Sequence, residues 1–92
     1  MNPTAIIAPT ELCSNTSRQW KDGLSTELSQ REVFIDLSVT RFIDSSGLGV
    51  LLSLNKTVRA RGGVLKLLNP SSAVAQLIEL TRLHRVFEIV HA

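Results

Sequence analysis

Four short apolar runs separated by stretches of helical periodicity constrain the fold of this chain more than any other feature. Residues 5–8 (Ala-Ile-Ile-Ala), 33–38 (from Val33 to Ser38), Val64–Leu68 and 87–90 (Phe-Glu-Ile-Val) read as strands. Strands with helices between them run mostly parallel and are joined by right-handed crossovers, so the chain reads as α/β with the order βαβαβαβ. Val64–Leu68 is apolar except for Lys66. That composition predicts an interior strand covered on both faces.

The intervening stretches supply the helices. Trp20, Leu24 and Leu28 recur every four residues and predict a helix over 15–28, capped by Ser14 or Asn15. Gly23 weakens it by about 1 kcal/mol relative to alanine. A second helix over 46–60 carries Leu48, Leu51, Leu52 and Asn55 on one stripe, with Leu54 and Val58 alongside. Gly62 and Gly63 end it, after Arg59 and Arg61, whose charge suits a helix C-terminus. Asn69-Pro70-Ser71-Ser72 reads as a turn and cap. The third helix then runs to about Leu83, with Val74, Leu77, Ile78 and Thr81 aligned.

Size and composition narrow the function. Ninety-two residues make one small domain, 1–92, of modest stability. A net charge of +2 is too small to imply nucleic acid. Residues 56–92 hold six Lys/Arg against only Glu79 and Glu88, an asymmetry read as a solvated face rather than a nucleic-acid footprint. Cys13 is the only cysteine, so no internal disulfide forms; it reads as a small apolar filler. His84 and His91 have no carboxylate or cysteine at ligand spacing, so no metal is expected. Gly47-x-Gly49 lacks the third glycine and the lysine of a phosphate-binding loop, and no Gly-x-Ser-x-Gly elbow occurs. The chain reads as a non-enzyme with no cofactor. No apolar run reaches the roughly 18 residues of a membrane span, and the N-terminus is unlike a signal peptide. Cytoplasmic residence is the default expectation.

One segment still calls for a function. Asp44-Ser45-Ser46-Gly47-Leu48-Gly49 puts two hydroxyls and a carboxylate at the start of the second helix. On pattern alone each serine is first an N-cap or turn residue, and Asp44 a cap. A phosphate on a serine here lies near unpaired backbone N–H groups and beside Asp44, which suggests a switch more than an active site.

The run Phe42-Ile43-Asp44-Ser45-Ser46-Gly47-Leu48-Gly49-Val50-Leu51 resembles the signature of STAS domains, specifically of bacterial anti-sigma factor antagonists. Three further stretches resemble the family in order: Pro9-Thr10-Glu11-Leu12, Gly62-Gly63-Val64-Leu65-Lys66-Leu67 and Leu80-Thr81-Arg82-Leu83-His84-Arg85-Val86-Phe87. The resemblance implies four mostly parallel strands in order 2-1-3-4 with three helices. It implies phosphorylation at Ser45, with Ser46 as the neighbouring cap. It also implies a partner surface made by Asp44, Ser45, Ser46, Gly47, Leu48, Gly49 and Lys56. In such a switch the unphosphorylated protein binds an anti-sigma factor that is also a serine kinase, and a PP2C-type phosphatase resets it. Ser53, Lys56 and Arg59 are expected along the outward face of the second helix. The alternative is a STAS-type accessory subunit of a lipid-transport ABC complex; such subunits often lack the acceptor serine, so Ser45 favours the switch.

Three departures from the family carry expectations of their own. The chain looks shortened at both termini, lacking an extra first strand and a terminal helix. Residues 33–38 then form an apolar sheet edge that pairs with a second copy or with the partner. Arg82 stands where the family carries glycine, which predicts either a longer third helix or a left-handed residue.

Overall fold

The computed structural model describes residues 5–24 and 27–91. Residues 1–4 and part of the predicted first helix lie outside them. The elements run β1 (Ile6–Ile7), β2 (Glu11–Leu12), α1 (Ser17–Asp22), β3 (Glu32–Asp36), β4 (Phe42–Ile43), α2 (Ser45–Ala60), β5 (Val64–Leu68), α3 (Ser72–Leu80) and β6 (Glu88–Val90). Single turns of 3-10 helix occupy Glu27–Ser29 and Leu83–Arg85. Three helices and parallel strands make this an α/β fold.

The main sheet has the order β1-β3-β5-β6, with every pair parallel. The order 2-1-3-4 is therefore corrected: the four predicted strands lie in sequence order. A two-residue strand offers few ladder bonds, so β1 sits at the edge while five-residue β3 and β5 take the centre. Ile6 pairs with Ile35, Ile7 with Asp36, and the Ala8 amide donates to the Asp36 carbonyl at 3.0 Å. The expected free edge at 33–38 is thus overturned: β3 lies between β5 and β1, the strand predicted at 5–8. Self-pairing along β3 loses its premise.

The strand order has a second consequence. Right-handed crossovers that always step in one direction place every helix on the same face. Val33 and Ile35 on β3, Leu37 just after it, and Leu65 and Leu67 on β5 point to that face and join Leu51, Leu54, Val58, Val74 and Ile78 in one core. The other face carries Phe34, Asp36, Val64, Lys66, Leu68 and Glu88, none of which belongs to this core. Coverage of β5 on both faces, as its composition predicts, does not occur. Lys66 explains how the open face tolerates water: its Nζ lies 3.5 Å from Glu32 Oε2 and 5.7 Å from the centre of the Phe34 ring.

Two helices end earlier than their periodicity predicts. α1 stops at Asp22 because Gly23 is its C-cap. α1 is entered through Thr16 rather than Ser14 or Asn15, and Thr16 makes no side-chain cap bond. α3 stops at Leu80, and Arg82 takes the left-handed conformation with φ 61°. α2 begins at Ser45, one residue before its predicted start. On it Leu54 and Val58 are fully buried, whereas Leu52 is half-buried.

Candidate functional site

A small second sheet positions the Asp44 turn. β2 and β4 pair in parallel, with Glu11 opposite Phe42 and Leu12 opposite Ile43. The Thr10 carbonyl accepts from the amides of Arg41 at 2.7 Å and Phe42 at 3.2 Å, and the Asp44 amide donates to the Leu12 carbonyl at 3.3 Å. Thr40, fully buried, anchors the loop below: its hydroxyl donates to the Pro9 carbonyl at 2.9 Å, and its carbonyl accepts from the Ser71 hydroxyl at 2.7 Å. The turn rests on backbone that is hydrogen-bonded on both sides.

Asp44 then starts α2. It is extended, with φ −114° and ψ −172°, and its Oδ1 accepts from the Gly47 amide at 3.0 Å. The carboxylate satisfies one of the unpaired N–H groups of the first turn and favours the positive end of the helix dipole. Asp44, rather than Ser46, is therefore the cap. Ser45 and Ser46 follow as the first two helical residues, both exposed.

The next three residues divide between interior and surface. Gly47 is buried, and a Cβ there would lie 2.1 Å from the Leu12 carbonyl oxygen and 2.8 Å from Ile43 Cγ1. Leu48 is only 7% exposed and packs into the core. The placement of Gly47 and Leu48 on the partner surface is corrected accordingly: the helix must turn this arc inward to meet β2. Gly49 is exposed, and a Cβ there would meet nothing within 4 Å.

Helical geometry lines Ser45 up with Gly49 and Lys56 on the outward face, with Arg59 beside them. Ser45, Gly49, Lys56 and Arg59 are exposed. Ser53 leaves this face. It turns toward α1, where its hydroxyl accepts from Lys21 Nζ at 2.8 Å.

The structure adds residues that periodicity does not mark. A cleft of about 580 Å³ separates α1 from α2, lined by Arg18, Lys21, Ser46, Gly49, Val50 and Ser53 among others. Ser46 borders this cleft; Ser45 does not. Phe42 is 52% exposed at the base of the turn. The alternation of Phe42 outward and Ile43 inward was available in the sequence, but a two-residue strand has too little pattern to mark it. Among the described residues no group of His, Cys, Asp or Glu has the arrangement of a metal site, and no helix is long and apolar enough to cross a membrane.

Comparison with known proteins gives this geometry a context. A Thermotoga maritima protein named as an anti-sigma factor antagonist is 34% identical over 58 residues, which cover 63% of this chain and 51% of that protein. The match thus spans about half the length of that relative. The crystal structure of an anti-sigma factor antagonist from Thermotoga maritima superposes with a TM-score of 0.81 at 28% identity, covering 94% of this chain and 77% of the other. The anti-sigma factor antagonist SpoIIAA in its unphosphorylated form gives 0.77 at 26% identity, covering 94% and 76%. The phosphorylated form of SpoIIAA, from Bacillus, gives 0.69 at 24% identity, covering 96% and 78%, a likeness of fold. The STAS domain profile matches residues 4–92. With nearly its whole length matched, this chain belongs to the STAS domain family.

Proposed function

We propose that this chain is an anti-sigma factor antagonist: a phospho-switchable binding module, not a catalyst, whose acceptor is Ser45. The observation that carries the reading is an exposed hydroxyl in the first turn of α2, on backbone held by the Asp44 cap. A rigid, outward hydroxyl is accessible to a kinase. A phosphate there adds a charge of about −1.5 to −2. The fold tolerates that charge because it sits at the positive end of α2. A partner surface shaped around a neutral hydroxyl and Asp44 does not tolerate it.

In this reading the unphosphorylated protein presents Asp44, Ser45, Ser46 and Gly49, with Lys56 further along α2, to an anti-sigma factor that is also a serine kinase. Transfer of phosphate to Ser45 releases the complex, and a PP2C-type phosphatase restores it. The relatives named above support the family role, and the existence of SpoIIAA in both phosphorylation forms supports the switch by analogy.

Incubation with the cognate kinase and ATP tests the assignment. One phosphate is expected, on Ser45. Ser45→Ala abolishes it, and Ser46→Ala reduces it at most. Phosphate found on Ser46 alone contradicts the proposal.

A further inference from the structure

The sheet has two ends, and the switch occupies only one of them. Parallel strands bring their N-termini to the same end, and the returning helices deliver their C-termini there. Arg31 precedes β3, Arg61 precedes β5, and Arg82 and Arg85 precede β6, while Arg59 lies in the last turn of α2. The Val64 amide donates to the Arg31 carbonyl at 2.8 Å, which ties the β3 and β5 entries together. Arg31 and Arg61 line a pocket of about 300 Å³. Four of the six basic residues of 56–92 are therefore gathered, with Arg31, at the end opposite Ser45, where the acids Glu32, Glu79 and Glu88 also lie.

These five arginines are exposed, and none has a carboxylate partner among the described residues, where the recorded ion pair is Lys66 with Glu32. Leu80, 74% exposed, and Val86, 42% exposed, stand among them. Arg82 is the most telling. It occupies φ 61°, ψ 19°, a left-handed conformation that glycine adopts freely and that strains any other residue. Among the described residues its side chain makes no hydrogen bond or ion pair that would offset the strain. Its backbone closes α3, the amide donating to the Glu79 carbonyl at 3.0 Å, but that role does not call for an arginine, and the side chain points outward for its explanation.

We propose that this arginine-rich end is a second docking surface, for an acidic amphipathic helix of a partner protein. The cations of this end are arginines, Arg61 already donating to the Gln30 carbonyl, and the planar fork of arginine pairs with carboxylates in two-point fashion. Leu80 and Val86 give such a helix an apolar contact beside the charges. Two aliphatic side chains are too little apolar area to hold a membrane, and a net charge of +2 is too small for a nucleic-acid footprint. Apart from Arg59, which also borders the outward face of α2, this surface is remote from Ser45.

The decisive variant is Arg82→Gly, because it separates binding from folding. It relieves the left-handed strain and is expected to raise the melting temperature by about 4–8 °C. It is also expected to weaken binding about fivefold, measured by fluorescence anisotropy with a labelled peptide of about 18 residues carrying Glu on one face and Leu on the other. Adding Arg85→Ser weakens it further, as does added salt. Arg82→Gly binding the peptide as tightly as the wild type overturns the proposal. So does equal binding of a peptide with Lys in place of Glu, or tighter binding to duplex DNA or to phosphatidylglycerol vesicles than to the acidic peptide.

Discussion

Gly47 and Gly49 sit two residues apart on the same helix and have opposite reasons to be glycine. At Gly47 the fold demands it, because the Leu12 carbonyl oxygen lies 2.1 Å from where a Cβ would be. At Gly49 the fold demands nothing, since no atom comes within 4 Å. A glycine in the second turn of a helix costs about 1 kcal/mol relative to alanine. The comparison divides the Asp44–Gly49 signature into an inward half, Gly47 and Leu48, that docks α2 on β2, and an outward half, Ser45, Ser46 and Gly49, that is left to a partner. One motif thus serves both packing and recognition.

The largest effect that tests this division is at the inward half. Gly47→Ala forces β2 away from α2, and a loss of about 3 kcal/mol or more is expected, with an unfolding midpoint lowered or folding abolished. A small shift in urea denaturation would show that β2 moves freely and would break the comparison. Asp44→Ala comes next. It removes the cap bond to the Gly47 amide and is expected to cost about 1 kcal/mol in the same assay, because that amide is then left to water. Gly49→Ala should go the other way. It is expected to stabilise the protein by roughly 1 kcal/mol while weakening the complex with the kinase, a combination that a purely structural glycine does not give. The smallest effect belongs to Lys56→Glu with Arg59→Glu. Stopped-flow association with the partner should slow by a few fold at low salt, and by less as salt is added.

Sequence pattern reached some of this and not the rest. The core strands β3 and β5 and the long helix α2 are readable because each has enough residues to show a period, and Asp44 is readable as a cap from its place before the helix. β2 and β4 are too short to carry any period, yet they set the position of the turn. Strand order was not legible either. The right-handed rule gives the hand of each crossover but not whether successive crossovers step the same way. That one choice decides that Phe34, Lys66 and Leu68 face away from the helices. Lys66 was the available clue to an open face, since it interrupts an otherwise apolar strand. At the site, alternation along α2 could not separate Ser53 from Lys56, because Ser53 is drawn inward by Lys21 on α1, a contact between residues 32 apart.

The central claim is that the outward hydroxyl of Ser45 is what the partner reads. Isothermal titration of the cognate anti-sigma kinase with the wild-type protein, Ser45→Asp and Ser46→Asp tests it most directly. The account predicts tight binding by the wild type, a loss of at least about tenfold for Ser45→Asp, equivalent to about 1.4 kcal/mol, and a smaller loss for Ser46→Asp, whose side chain borders the α1–α2 cleft. Equal affinity of wild type and Ser45→Asp, or a loss confined to Ser46→Asp, would contradict it.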